Sequence, residues 1–498
     1  RGWAESEVVV EVAVKLPQSD HAAMETRSAR AQILSNGTVI IYTPSQSPFM
    51  VKTMISRYFH IEVGKIIVNT PLVGGAFGGK TTVQLELIAY LASKAANGRM
   101  VMLANTREQD MSSSAVQMGL EARVKLGATK TGKLKAAEMT FLIDSGAYTD
   151  SAPIMTKAIA ANCTGPYNIE NLWCDALCIY TNHPYATAFR GFGHTAYTFA
   201  IERALEKMAY ALEMDPFAFR LNNVLVPGNT SPAQVKLTPS NLGDLPQCLE
   251  KLKDLIDWEE GTRIKLEGNL VRAKGLSCFW KTSSSPTDAI SGAVLMLNAD
   301  GTINLLCGAT ECGQGTKTAV AQILAEKMQV SSDQIYVTME VNTQQNPEHW
   351  KTVASMSTYM VGRAVLDAAD DLIRQLRELA AIVLRCPPQD LEVGGGKVFL
   401  RDDPDIYLKF EELAHGYKYP NGNAIGGQII GRGKFIMRHL TPPDPETGIG
   451  KTGPGWTVGA QAVEVEFDTN DYDYRILRAV TVVDAGKVIN PMGARGMV

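Results

Sequence analysis

The feature that most constrains this sequence is a local pattern that recurs four times. Glycine- or hydroxyl-rich segments stand where extended runs give way to helical ones. They are 74–81 (GGAFGGKT), 187–194 (TAFRGFGH), 308–316 (GATECGQGT) and 355–363 (SMSTYMVGR). A glycine-rich turn at a helix entry can aim several backbone N–H groups at one anion. Each segment alone is weak, because a tight turn also needs glycine for positive φ. Four of them in one chain predict a single large polyanionic ligand gripped mainly by backbone. The chain is then expected to bring Phe77, Arg190 and Gln314 together in one cleft.

The first segment formally satisfies G-x-x-x-x-G-K-[ST], the phosphate-cradling loop of nucleoside triphosphatases. Its only plausible partner, the strand-plus-Asp run 480–484, lies about four hundred residues away, and no βαβ repeat surrounds the loop. An ATPase that uses Lys80 and Thr81 is therefore a disfavoured alternative. In the second segment Arg190, flanked by aromatics and glycines, is suited to meet a phosphate or oxo ligand. In the third, Gln314 sits between two glycines that let a ligand approach the backbone. The fourth opens a helix with hydroxyls.

Helices are expected over 82–96, 196–212, 249–258, 316–328 and 362–384, with a short helix capped by Asp215 and started by Pro216. Strands are expected over 37–42, 65–68, 175–185, 293–297, 303–306 and 335–339. This mixture predicts an α+β fold of two large halves with the ligand cleft between them. The Pro/Gly/Asn/Ser-rich stretch 226–245 divides the chain into a first domain, 1–230, a linker with a bridging helix, 231–270, and a second domain, 271–498. A length of 498 residues fits more than one domain.

Formal net charge is −4 and no basic run occurs, which argues against a nucleic-acid partner. No apolar run reaches the roughly 20 residues that span a bilayer. Eight cysteines are scattered without a C-x-x-C, and the seven histidines lack zinc-ligand spacing. A reducing, cytoplasmic setting follows as the expectation. Any redox cofactor must be held without side-chain metal ligands, and its electrons must pass to another subunit.

Taken together, G-G-A-F-G-G-K, A-F-R-G-F-G, G-x-T-E-x-G-Q-G-T and S-x-S-T-Y-x-x-G-R-A resemble, in order and separation, the molybdenum-binding subunits of the xanthine dehydrogenase and aldehyde oxidoreductase family. The early run His21 to Glu25 and the late runs 459–465 and 483–491 resemble further segments of it, so the likeness covers nearly the whole chain. The resemblance implies a molybdopterin carrying molybdenum, with a cytosine nucleotide in many bacterial members. It implies hydroxylation of a C–H carbon of an aldehyde or N-heterocycle with oxygen from water. Electrons would pass to iron–sulfur and flavin (FAD) partner subunits, in a dimer of heteromers.

Carried over by motif, Phe77 and Arg190 are the expected catalytic side chains. The cofactor would be held by Gly75, Ala76, Phe77 and Gly78, by Ala188, Phe189 and Arg190, by Gly313, Gln314 and Gly315, and by Ser355, Ser357 and Thr358. Thr81, Phe189 and Phe192 would line the substrate pocket. No side chain would ligate the metal, which the pterin dithiolene holds.

Three departures qualify the likeness. Xanthine-oxidising members carry Glu where Thr81 stands, so a strict xanthine substrate is not expected. The Cys of carbon monoxide dehydrogenases is absent from 188–193. The general-base Glu of the family's G-x-G-E segment does not occur in these residues, and the run ending at Val498 reads as a trimmed or cleaved piece, or a split subunit. A positioned base contributes about 10²–10⁴-fold in rate, so residues 1–498 alone are expected to be nearly inactive. The competing reading is a non-catalytic cofactor-binding or assembly scaffold.

Overall fold

The computed structural model describes residues 1–498, and its architecture is α+β throughout. A four-stranded sheet runs in the spatial order Val8–Leu16, Gly119–Ala128, Leu134–Gly146, Asn171–Tyr180. Leu120, Ala122, Val124 and Leu126 alternate inward along one strand, as the period-two pattern requires. Helix His194–Ala211 covers this sheet with Ala196, Tyr197, Ala200, Ile201, Ala204, Leu205 and Met208, which recur every three or four residues.

A second sheet orders Val341–Asn342, Ile66–Thr70, Val39–Tyr42, Ser28–Ile33 and Val101–Ala104. Its edge strand comes from the second half of the chain, pairing Val341 with Thr70 and Asn342 with Asn69. A third sheet, Tyr474–Asp484, Trp456–Asp468, Leu270–Thr282, Arg263–Lys265, shares one core with the first. There Trp280 stacks on Trp456 with centroids 5.4 Å apart. Both indole N–H groups donate to Asn162, at the end of helix Ala152–Asn162.

The fourth sheet, Ile335–Val337, Ile303–Cys307, Ile290–Leu297, Ile430–Ile436, packs with the 28-residue helix Ser357–Leu384. Val361, Val365, Leu372 and Leu376 are fully buried along that helix. Each such side chain contributes about 1.5–3 kcal/mol by leaving water.

Helix Thr316–Met328 begins and ends where the sequence pattern places it. Helix Pro216–Asn223 is capped by Asp215, whose Oδ2 accepts from the Ala218 N–H at 2.9 Å. Elsewhere the boundaries shift. The expected bridging helix is Leu245–Leu255, and its Leu245, Leu249 and Leu252 are buried in the largest core. The helix expected from 362 starts at Ser357, because Met360 and Val361 are buried on the same face as the residues that follow. The helix expected from 82 starts only at Leu85, so the 74–81 turn does not open directly into it. No helix is long and apolar enough to cross a membrane.

Candidate functional site

The loop 74–81 leaves strand Ile66–Thr70 and is shaped by left-handed residues. Phe77 has φ 56°, Gly75 94° and Gly78 108°. A Cβ at Gly78 would collide with the Ala188 carbonyl, coming within 2.8 Å of its carbon. Glycine is therefore what allows this loop to lie against the 188–190 backbone. Across the junction the Arg190 guanidinium sits 4.9 Å from the Phe77 ring centroid, and both side chains are exposed. Such a stack is worth roughly 0.5–1 kcal/mol in water and more when a ligand displaces it.

His21 holds the other side of this junction. Its Nε2–H donates to the Ala188 carbonyl at 2.7 Å, and its ring tilts against Phe189 at 4.7 Å. Burial lowers its pKa, leaving the ring neutral at neutral pH, and its buried Nδ1 has no protein partner. The next turn carries Phe192 at φ 52° and delivers His194 to the helix start. The His194 Nδ1–H donates to the Gly191 carbonyl at 2.9 Å. Its Nε2 is buried and unpartnered, and burial takes its pKa down to about 4.

The four loops adjoin. The Val73 N–H donates to the Glu311 carbonyl at 2.9 Å, joining the first loop to the third. The Thr310 N–H donates to Thr352 Oγ1 at 2.9 Å, joining the third to the approach of the fourth. Gln46 ties the rest together. Its Oε1 accepts from the N–H groups of Gly78 (3.1 Å) and Lys80 (3.3 Å), and its Nε2 donates to the Thr352 carbonyl at 2.9 Å. Nothing in the local sequence around Gln46 signals this, since its partners lie 32 and 306 residues away.

Individual residues differ from the simplest picture of a phosphate cradle. The Glu311 carboxylate accepts from the N–H groups of Gly313 (3.0 Å), Gly315 (2.9 Å) and Lys317 (3.0 Å), filling the N-terminus of helix Thr316–Met328 with its own anion. The Gln314 amide is spent on Cys312, Thr310 and Thr316. What the third loop offers a ligand is the open face of Gly313 and Gly315, where nothing lies within 4 Å of a Cβ position. Thr81 is 6% exposed, and its hydroxyl donates to the Gly78 carbonyl at 2.8 Å. Ser355 is exposed and left-handed at φ 56°, after Ala354 at 58°, while Ser357 begins helix Ser357–Leu384.

The triphosphatase reading finds no support in this geometry. Lys80 is 5% exposed, and its ammonium lies 2.8 Å from Glu25 Oε2. The N–H groups of Gly78 and Lys80 are already taken by Gln46, and the helix begins four residues later than a phosphate cradle needs. No group of three or more His, Cys, Asp or Glu side chains is placed to hold a metal ion.

These loops offer a ligand open backbone and unpartnered imidazole nitrogens. Open glycine faces lie on one loop, and the unpartnered His21 and His194 nitrogens lie beside another. Left-handed non-glycine residues in three of the loops store strain of about 1–3 kcal/mol each, as functional loops commonly do. In comparison with known proteins, residues 1–224 and 251–498 each match a family model described as a molybdopterin cofactor-binding domain. The chain therefore belongs to the molybdopterin cofactor-binding family of the molybdenum hydroxylases.

It is 28% identical over 495 residues to the xanthine dehydrogenase molybdenum-binding subunit of Escherichia coli O157:H7, covering 97% of this chain and 62% of that protein. It is 26% identical over 493 residues to a nicotinate hydroxylase of Emericella nidulans, covering 96% and 34%. Its fold matches quinoline 2-oxidoreductase from Pseudomonas putida 86 with TM-score 0.86 at 23% identity, covering 99% of this chain and 64% of that one. Aldehyde oxidoreductase from Desulfovibrio gigas matches with TM-score 0.83 at 23% identity, covering 99% and 51%. The chain thus spans less than two thirds of the length of these proteins.

Proposed function

We propose that this chain is the molybdenum-cofactor-binding part of a hydroxylase that oxidises a C–H carbon of an aldehyde or an N-heterocycle, with water as the oxygen source. The observation that supports this is the contact between the first and second loops at the Phe77–Arg190 stack, with the first loop bonded in turn to the third through Val73 and Glu311. When bound, the cofactor supplies the two-electron oxidation and the oxygen transfer. The protein's own part is positional. Phe77, Ala188 and Phe189 are assigned to an apolar wall beside the metal, and Thr81, Phe189 and Phe192 to the substrate pocket. Arg190, stacked on Phe77, offers a cation beside that wall. His21 fixes the Ala188 carbonyl and, with it, the turn that presents Phe189 and Arg190. Gly75, Ala76, Gly78, Ala188, Gly313, Gln314, Gly315, Ser355, Ser357 and Thr358 are assigned to cofactor binding.

Thr81 bears on the substrate. Its hydroxyl proton is committed to the Gly78 carbonyl, so it offers an incoming base neither charge nor a free donor. A charge-assisted hydrogen bond is worth about 1.5–3 kcal/mol, roughly 10- to 100-fold in affinity. The proposed substrates are therefore aldehydes or N-heterocycles other than xanthine. Electrons would leave to iron–sulfur and flavin partners, with residues 1–230 and 271–498 as the two cofactor-binding domains. A cytosine dinucleotide form of the cofactor and a cytoplasmic setting belong to the same proposal. The general base is assigned to no residue in 1–498, and these residues alone are expected to turn over slowly.

The test is to purify the protein with its natural partner subunits, measure molybdenum and pterin, and assay aldehydes, purines and pyridine carboxylates. Absence of pterin would remove the cofactor assignment. Xanthine turning over far faster than every other substrate would remove the Thr81 argument.

A further inference from the structure

The third loop has a neck as well as an open face. Cys307 is the last residue of strand Ile303–Cys307, and Lys317 is the second residue of helix Thr316–Met328. The whole loop, 308–316, lies between them in sequence. In space the two side chains meet, with the Lys317 ammonium 3.4 Å from Cys307 Sγ. Lys317 is 2% exposed and Cys307 0%.

This is an unusual setting for a buried lysine. A charge withdrawn from water is normally met by a carboxylate. Glu311, the nearest acid along the chain, is engaged by the backbone N–H groups of Gly313, Gly315 and Lys317. The Lys317 Nζ forms no ion pair, and the acceptor it meets is a thiol sulfur, which is a weak one. His349 lies within electrostatic reach but is neutral. Burial takes its pKa down to about 4, and the Lys317 charge acts in the same direction. Its Nδ1 shares a hydrogen bond with Ser291 Oγ, and its Nε2 has no partner. The rest of the surroundings are apolar, since Cys307 belongs to the buried cluster that holds Leu305, Ala309, Val320 and Leu324.

Such a pair is suited to oxidation. An ammonium beside a sulfur favours attack by that sulfur on peroxide. The sulfenic acid so formed condenses with a nearby nitrogen where no second thiol reaches it first. Enclosure admits hydrogen peroxide and keeps out a bulky thiol such as glutathione. Sγ and Nζ are already in contact, so joining them needs side-chain rotation and no movement of the loop.

We propose that Cys307 and Lys317 form an oxidative modification site, at which hydrogen peroxide joins Sγ to Nζ as a reversible sulfenamide that staples the neck of the 308–316 loop. The sulfur first gives two electrons to the peroxide O–O bond, forming a sulfenic acid and one water. Nζ then attacks the sulfur and the S–O bond breaks. The oxygen leaves as a second water with one ammonium proton, and a further proton passes to solvent. A dithiol reductant reverses the bridge, restoring thiol and amine while it becomes a disulfide. The site needs no bound ligand and is independent of the cofactor reading.

The test is peptide mapping of the protein purified with its partner subunits, before and after hydrogen peroxide. Free thiols are blocked with N-ethylmaleimide and no reductant is present. No Lys or Arg stands between Lys281 and Lys317, so trypsin releases 282–317 from the reduced protein. A bridged Lys317 resists trypsin. The expected product is 282–327, uncleaved at Lys317 and lighter by about 2 Da than the same peptide with free thiol and amine. Dithiothreitol should return it to 282–317. Lys317→Arg keeps the charge without the amine, and its peptide should be cleaved normally while Cys307 takes up oxygen.

A disulfide between Cys307 and Cys312 gives the same mass loss but leaves Lys317 cleavable, and that result would overturn the proposal. Cleavage at Lys317 with Cys307 unchanged would overturn it as well. Blocked cleavage with a gain of about 14 Da would place an oxygen between the two atoms and overturn the sulfenamide chemistry. Pterin content is measured on the same samples. Its absence would count against the cofactor reading and leave the mapping result untouched.

Discussion

Replacing Gln46 by Ala tests the claim that the loops are held together by one buried amide. The change removes the acceptor of two N–H groups, Gly78 at 3.1 Å and Lys80 at 3.3 Å, and the donor to the Thr352 carbonyl at 2.9 Å. Gln46 is 7% exposed, so water does not readily take its place. The backbone bonds from Gln46 N–H to the Lys80 carbonyl and from Thr352 N–H to the Gln46 carbonyl survive. A buried group left without a partner costs about 1–3 kcal/mol. If each amide loses that much protection, its hydrogen exchange accelerates about 5- to 150-fold. The assay is hydrogen–deuterium exchange of peptides covering 74–82 and 350–358, read beside pterin content. Gln46→Glu keeps the acceptor and loses only the donation to Thr352, so it should fall between wild type and Gln46→Ala. A change under twofold in Gln46→Ala would refute the bridging role, whatever happens to global stability.

Gly78→Ala places a methyl group against the Ala188 carbonyl at φ 108°, so pterin content should fall at least about tenfold, given a strain cost of roughly 1–3 kcal/mol plus the collision. Unchanged pterin occupancy would show that the two loops need not touch. His349 is 1% exposed and its folded-state pKa of about 4 lies below the ordinary 6.5, so the unfolded chain binds the proton first. Its contribution is therefore complete above about pH 6.5 and is lost as pH falls toward 4. His349→Asn should flatten the acid limb of a melting-temperature profile in that window, and a limb of unchanged slope would contradict this. Finally, calorimetric titration with magnesium-ATP should show no binding at micromolar concentrations, because Lys80 is already paired with Glu25. Saturable binding abolished by Lys80→Ala would revive the triphosphatase alternative.

Features that depend on neighbours within a turn or two were legible along the chain. Helix Thr316–Met328, the Asp215 cap and strand Ile303–Cys307 follow from apolar spacing and capping chemistry that reach only a few residues. The four loop motifs were legible for the same reason, since a tight turn imposes its glycines locally. How the loops use their polar groups emerges only from long-range packing. Glu311 fills the helix start that Gly313 and Gly315 seemed free to offer a ligand, and Thr81 turns its hydroxyl back on Gly78. Gln46 gains its role from a partner brought near only by the fold, Thr352. The same holds for the union of the first and third sheets through Trp280, Trp456 and Asn162. The physical reason is range. Propensity and periodicity act along the chain, whereas a buried hydrogen bond or an unmatched charge takes its value from groups that chain distance does not predict.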